Sequence, residues 1–365
     1  MSNFSKNLIL LILIIVAIGV VTIYSGTINS TSSIERKLYL RQIIWILFSF
    51  VCLFLISRIS YRRLWEGAYL FYIIGIVLLL IVASSGLIRL GAQRWLRILW
   101  FNFQPSELMK LIVVIFLARY FSKQGMSLRQ DVEEWGFPKA VLVPFVFIFL
   151  PMYLILNQPD LGTAIFILLI FITMLFIAQV NLKFIIFILV GIIFSSPLFW
   201  LFLKEYQRVR LLVFLNPNAD PLGKGYTIIQ SRIAVASGGV LGRGWLEGSQ
   251  SQLHFLPESH TDFIFATFAE QWGFIGSLVL LLFYYLLIRY SLRVAQKAPD
   301  YFGYLLAGGI AIILSTQILI NIAMTMGLAP VVGLPLPLLS YGGSSLLVTF
   351  ISVGILMNIE KRIAR

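Results

Sequence analysis

Long uncharged runs separated by short polar clusters dominate the chain. Apolar stretches near residues 7–26, 38–57, 64–85, 105–122, 138–156, 161–179, 184–203, 263–289, 302–326 and 344–359 each approach the length of a membrane span. A hydrocarbon core about 30 Å thick takes roughly 20 helical residues, and a helix satisfies its own backbone there. The pattern predicts an all-α polytopic membrane protein with ten transmembrane helices, read as one integral membrane domain over residues 1–365. The longest connection, 204–262, falls between the seventh and eighth spans. Within it, 225–240 has apolar residues at 226, 229 and 233 beside Gln230 and Arg232, which suits a helix lying on an interface. Gly238, Gly239, Gly242 and Gly244 then interrupt it. The connection is predicted to be a folded cap rather than a loose linker.

Composition narrows this picture. The 365 residues are 59% hydrophobic and only 12% charged, too few charges to cover a soluble surface. No small-residue cleavage site follows the first apolar run, which is read as a retained span. The single cysteine, Cys52, lies inside an apolar run and excludes an intrachain disulfide. Despite a net charge of +13, the basic residues are dispersed and form no stripe, so nucleic acid is not an expected partner. An even number of spans puts both termini on one side. Short segments on that side carry Lys6, Arg58, Arg62, Arg63, Arg293, Lys297 and Lys361. By contrast, Lys204, Arg208, Arg210, Lys224, Arg232 and Arg243 sit in the long segment, where charge does not decide translocation. Both termini are therefore read as cytoplasmic and 204–262 as external.

Polar groups at membrane depth are costly and mark structure or function. Glu107 and Lys110 in FQPSELMK (103–110) are three apart on one helix face. They form either an internal ion pair that fixes packing or the floor of an outward-facing cavity. In NQPDLGTA (157–164), Asp160 sits in a tight turn and can cap the sixth span. Arg89, Arg94 and Arg97 with Trp95 and Trp100 fit an interfacial aromatic belt with snorkelling arginines. The prolines and glycines of APVVGLPLPLLSYGGSS (329–345) prevent a regular helix. Ser340 and Tyr341 open SYGGSS there, giving hydroxyls and free N–H groups that suit an anion, although plain loop geometry accounts for them equally. Finally, FLPESHTDFIFA (255–266) brings Glu258, His260 and Asp262 together before an apolar run. Ser259 and Asp262 have capping-box spacing, so Asp262 either starts the eighth helix or does chemistry. A carboxylate beside cations suits removal of a proton from an acceptor hydroxyl while the cations hold a phosphate leaving group.

Six blocks in order, GAQRW (91–95), FQPSE (103–107), QPDLGT (158–163), DPLGKGY (220–226), QSQLHFLPESHTDFIFA (250–266) and PLPLLSYGGSS (335–345), resemble the SEDS family (shape, elongation, division and sporulation). GSQSQLHFLPE before HTDFIFA is similar to the rod-shape branch rather than the division branch. AEQWG (269–273) departs from the pattern at Gln271, where a second acid is expected. The resemblance implies a peptidoglycan glycosyltransferase with ten transmembrane helices. Such an enzyme polymerises lipid II on the outer face of the cytoplasmic (inner) membrane during cell elongation. It makes β-1,4 links, releases undecaprenyl diphosphate from the lipid-linked glycan, and works with a class B penicillin-binding protein that crosslinks the product.

The family's essential aspartate matches Asp262, and its glutamate–lysine pair matches Glu107 and Lys110. An α-linked donor and a β product need one inverting displacement, hence one base; a second carboxylate as nucleophile would belong to a retaining reaction. Asp262 is accordingly the expected general base and a candidate ligand for Mg²⁺ or Mn²⁺ bridging phosphate oxygens. Arg208, Arg210 and Lys110 are the candidates for holding diphosphate. Asp160, Glu258, His260 and the Ser340–Tyr341 pair are expected to bind substrate. Two rival readings are a lipid II flippase and a non-catalytic scaffold for a transpeptidase. Transporters commonly place their sites near the midplane, whereas the polar motifs here all fall on one side of the predicted topology.

Overall fold

The computed structural model describes residues 3–30, 32–89, 92–98, 101–122, 135–223 and 225–363. Lys224 and Trp100 lie outside the described residues, as does the side chain of Arg89. The helices are α1 (Asn3–Thr27), α2 (Leu38–Arg58), α3 (Arg62–Ser85), α4 (Pro105–Phe121), α5 (Val143–Asn157), α6 (Leu161–Ile177), α7 (Leu182–Phe202), α8 (Glu205–Leu215), α9 (Tyr226–Ser237), α10 (Ser249–Gln252), α11 (Ile264–Gln296), α12 (Tyr301–Thr325) and α13 (Gly343–Ile363). Every predicted apolar run is helical. Among the described residues, eight helices are long and apolar enough to cross a membrane. The other two predicted spans, α4 and α6, have 17 residues each.

The stretch after α3 differs from the turn read from its sequence. It is an antiparallel meander of β1 (Leu87–Arg89), β2 (Ala92–Ile98) and β3 (Phe101–Phe103), with Leu96 opposite Phe103. Pairing within the segment satisfies backbone groups that neither neighbouring helix can serve.

The chain forms two compact units. One comprises residues 50–202, 290–313 and 347–365. Its centre is α4, buried almost throughout and packed against α3, α5 and α6. Gly75 lies against Met109, and a Cβ on Gly309 would stand 2.3 Å from a Val114 methyl carbon, so small residues set these close helix approaches. Within this core, Lys110 Nζ donates to Glu107 Oε1 at 2.8 Å, with side-chain exposures of only 1% and 4%.

The other unit comprises residues 1–49, 203–289 and 314–346. Its main irregularity is in α11, which breaks at Gly273 (φ 64°, ψ −161°). The break frees carbonyls on one side and N–H groups on the other, and the glycine-rich 239–244 stretch serves both. Arg243 and Gly244 donate to the carbonyls of Glu270 and Gln271 (3.0 and 3.1 Å), while Phe274 and Ile275 donate to those of Gly239 and Val240 (2.9 and 3.1 Å). The glycines read as helix breakers thus supply strand-like partners for a broken helix. Glu270, fully buried, accepts from the N–H groups of Gln250 and Ser251 at 2.7 and 3.0 Å and fixes α10.

Two stability predictions follow from these units. Gly273→Ala would force a side chain into a positive φ with its Cβ 2.3 Å from Gly242 N. It should cost at least about 1–3 kcal/mol and lower the melting temperature in detergent. Gly191→Ala, with nothing within 4 Å of the new Cβ, should leave it unchanged or raised. Removing one partner of the buried pair, as in Glu107→Leu, should cost about 3–5 kcal/mol, whereas Glu107→Leu with Lys110→Met should recover most of it. Thermal unfolding of the two variants reads this directly, and equal losses would contradict it.

Candidate active site

The 254–263 segment is a succession of tight turns ahead of α11. Thr261 and Phe263 donate their N–H groups to the Glu258 carbonyl at 3.1 and 3.3 Å, and the Thr261 hydroxyl donates to Glu258 Oε2 at 2.9 Å. His254 and Glu258 adopt positive φ (56° and 52°), a region that non-glycine residues occupy at a cost and that recurs at functional sites. The first helical acceptor is the Phe263 carbonyl, which takes N–H groups of Ala266 and Thr267. Asp262 therefore precedes the cap position, and the Ser259–Asp262 spacing does not form a capping box. Beneath the turns, Ala234 and Val235 of α9 join Leu256, Phe263, Ala266 and Val331 in an apolar cluster that supports the segment.

Asp262 is half-buried. The irregular 326–342 loop runs past it at Gly333 (φ 72°), where an added Cβ would meet Asp262 Oδ2 at 3.4 Å. On the backbone side, Asn321 Nδ2 donates to the Asp262 carbonyl at 3.0 Å and to the Leu334 carbonyl at 2.7 Å. Two residues upstream of Gly333, the Val331 carbonyl accepts from Arg210 Nη1 at 3.4 Å. Asp262 and Arg210 thus border one short stretch of loop. Arg208 is also half-buried. Being two positions from Arg210 in α8, it leaves the helix about 200° away, so the two guanidiniums do not form one face of the helix.

The same loop is tied to the turns by its other end. Tyr341 donates its N–H to the His260 carbonyl at 2.9 Å, and the two rings lie 6.0 Å apart. The Ser340 hydroxyl donates to the Thr261 carbonyl at 2.7 Å while accepting from Leu336 N at 2.7 Å. Gln42 of α2 donates to the Ser340 carbonyl at 3.1 Å. Ser340 therefore serves as a bracket for the backbone on both sides. Burial pushes the His260 imidazole below its usual range, against the opposing pull of Glu258 and Glu35. His260 is consequently neutral near pH 7.

The remaining sequence candidates lie in the unit of residues 50–202, 290–313 and 347–365. Asp160 caps α6, accepting from Thr163 N at 3.3 Å and the Thr163 hydroxyl at 3.0 Å. Arg94 Nη1 lies 3.7 Å from Oδ1, and Gln104 and Ser106 donate to Oδ2 at 3.3 and 3.5 Å. Arg94 also donates to the carbonyls of Gln158 and Pro159, so it holds the turn rather than snorkelling freely. Lys110 is paired with Glu107 and lies 5.0 Å from the Phe166 ring centre. Among the described residues, no three His, Cys, Asp or Glu side chains form a metal-binding group.

Sequence reasoning passed over Gln42, Gln317 and Asn321. Gln317 donates to the Pro335 carbonyl at 2.8 Å, one turn from Asn321. Their signal was present as two carboxamides four apart inside the apolar run 302–326.

Comparison with known proteins gives this arrangement its context. The chain matches the FtsW/RodA/SpoVE family of cell cycle proteins over residues 5–364. It is 41% identical over 360 residues to the peptidoglycan glycosyltransferase MrdB of Escherichia coli K12, covering 98% of this chain and 94% of that one. Identity to the peptidoglycan glycosyltransferase RodA of Treponema pallidum (strain Nichols) is 33% over 436 residues, covering 99% and 98%. Among solved structures, a chain from a peptidoglycan synthase complex that coordinates polymerization and crosslinking superposes with a TM-score of 0.82 at 31% identity, covering 100% of both chains. The rod shape determining protein RodA of Thermus thermophilus superposes with a TM-score of 0.71 at 27% identity over 98% of this chain and 97% of that one. The match along nearly the whole length, in sequence and in fold, makes this chain a member of the FtsW/RodA/SpoVE family.

Proposed function

We propose that the chain is a peptidoglycan glycosyltransferase that polymerises lipid II during cell elongation, with Asp262 as its general base. The observation that carries the reading is the placement of Asp262: a half-buried carboxylate outside the cap position, beside a glycine-opened loop that Arg210 also borders. The names of the relatives supply the reaction class.

In the proposed step, the Asp262 carboxylate takes the proton from the sugar 4-hydroxyl of the acceptor. That oxygen attacks the anomeric carbon of the lipid-linked glycan, the new C–O bond forms as the bond to diphosphate breaks, and undecaprenyl diphosphate leaves. A single displacement converts the α donor into a β-1,4 product. Arg210 is the proposed contact for the departing diphosphate, because fixed positive charge in a low-dielectric site stabilises developing charge without reorganisation; Arg208, on another face of α8, is proposed to add only to the surrounding positive field. Glu258 and the neutral His260 are proposed to contact the sugar. Asp262 is the carboxylate through which a Mg²⁺ or Mn²⁺ ion would be held; with one protein carboxylate, substrate phosphate oxygens would supply the rest of its ligands, and the ion would add charge stabilisation. The proposed orientation has both termini cytoplasmic and the 204–262 cap on the outer face, where a class B penicillin-binding protein crosslinks the product. The superposable synthase complex supports that pairing.

The test is polymerisation of labelled lipid II by the purified protein with its class B partner. Asp262→Ala should retain the wild-type melting temperature within a few degrees and lose at least about 100-fold in rate, the usual scale for a general base. A stable Asp262→Ala protein that polymerises at the wild-type rate would overturn the assignment. Arg210→Ala should lower the rate with unchanged melting, and wild-type turnover would remove it from the diphosphate site.

A further inference from the structure

Asn321 is fully buried within α12 and has no charge to justify its place in an apolar helix. Its carboxamide spends both its geometry and its donors on two backbone carbonyls, those of Asp262 (3.0 Å) and Leu334 (2.7 Å). The orientation is fixed by chemistry, because a flipped amide would aim its oxygen at two carbonyl oxygens. The consequence is that Asn321 Oδ1 is buried with no hydrogen-bond partner among the described residues. A buried acceptor left unpaired is a liability, so the two donated bonds are the reason for the residue.

What they join is informative. One ends on the backbone of the proposed base; the other ends one residue beyond Gly333, the point where the loop passes the Asp262 carboxylate. One turn earlier in α12, Gln317 makes a comparable bond to the Pro335 carbonyl, farther along the same loop. Both carboxamides hold the loop, and Asn321 also ties it to the backbone of Asp262, keeping the two in register.

We propose that Asn321 is a positioning residue for catalysis, setting the Asp262 carboxylate against the 331–334 stretch. The proposal rests on the glycosyltransferase reading above. Its signature is kinetic. The carboxamide reaches the reaction through the base, so its loss should appear in turnover rather than in substrate binding. Merely structural support would lower the amount of folded enzyme and affect both loop clamps alike.

The experiment measures initial rates of lipid II polymerisation against substrate concentration for wild type, Asn321→Leu, Asn321→Asp and Gln317→Leu, each with the class B partner and normalised to folded protein by size exclusion and melting. Expected are a fall in kcat of at least tenfold for both Asn321 variants, KM within threefold of wild type, and a clearly smaller kcat effect for Gln317→Leu. Should Asn321→Leu fail to fold, Asn321→Asp decides, because it keeps the volume while leaving at most one donor, the O–H of a protonated carboxyl, for the two carbonyls. Unchanged kcat in a folded Asn321 variant, or equal losses for Asn321 and Gln317, would overturn the positioning role. A wild-type protein that makes no polymer would instead strike the glycosyltransferase reading itself.

Discussion

Every backbone N–H and carbonyl that leaves a helix in so apolar a chain must find a partner within the protein, because hydrocarbon offers none. The unit that contains Asp262 shows how much structure this demands. The break at Gly273 persists because residues 239–244 supply four backbone hydrogen bonds, matching donors to freed carbonyls and acceptors to freed N–H groups. The proline-rich loop persists because Gln42, Gln317, Asn321 and Ser340 reach its carbonyls and N–H groups with side chains. Irregular backbone is what allows a polar group to stand beside a loop instead of a helix face. Its support is therefore part of the site.

The acidic residues divide along the same line. Glu270 is fully buried and committed to two N–H groups of the 249–252 turn. Asp160 is committed to capping α6, and Glu107 to Lys110. Each is taken up by the fold in the way burial requires. Asp262 differs in being half-buried, with its carbonyl held by Asn321 and its carboxylate close to Gly333. In its proposed role as base, Asp262 is held in place through its backbone carbonyl.

Much of this was legible in the sequence because it depends on local periodicity. Apolar run length located every long helix, and three-residue spacing paired Glu107 with Lys110. The turn at Asp160 was legible for the same reason, since a cap acts within four residues. Other features depend on contacts distant in the chain and left no local trace. Nothing near Gly242 announces that its neighbours complete a helix broken at Gly273. The β1–β3 meander was hidden because its arginines and tryptophans fit an interfacial belt equally well. Arg208 and Arg210 were both legible as candidates for holding diphosphate, but that α8 sends them to different faces shows only once the segment is helical. Asn321 was visible only as a polar residue in an apolar run; its meaning depends on Asp262, 59 positions away.

Under the proposed function, this protein builds glycan strands instead of moving or merely scaffolding their precursor. The most direct measurement reconstitutes the protein and its class B partner in liposomes with fluorescent lipid II, then follows product size and transbilayer distribution together. The expected result is a ladder of polymer that a muramidase cleaving β-1,4 links reduces to disaccharide units. Movement of lipid II across the bilayer with no ladder would contradict it.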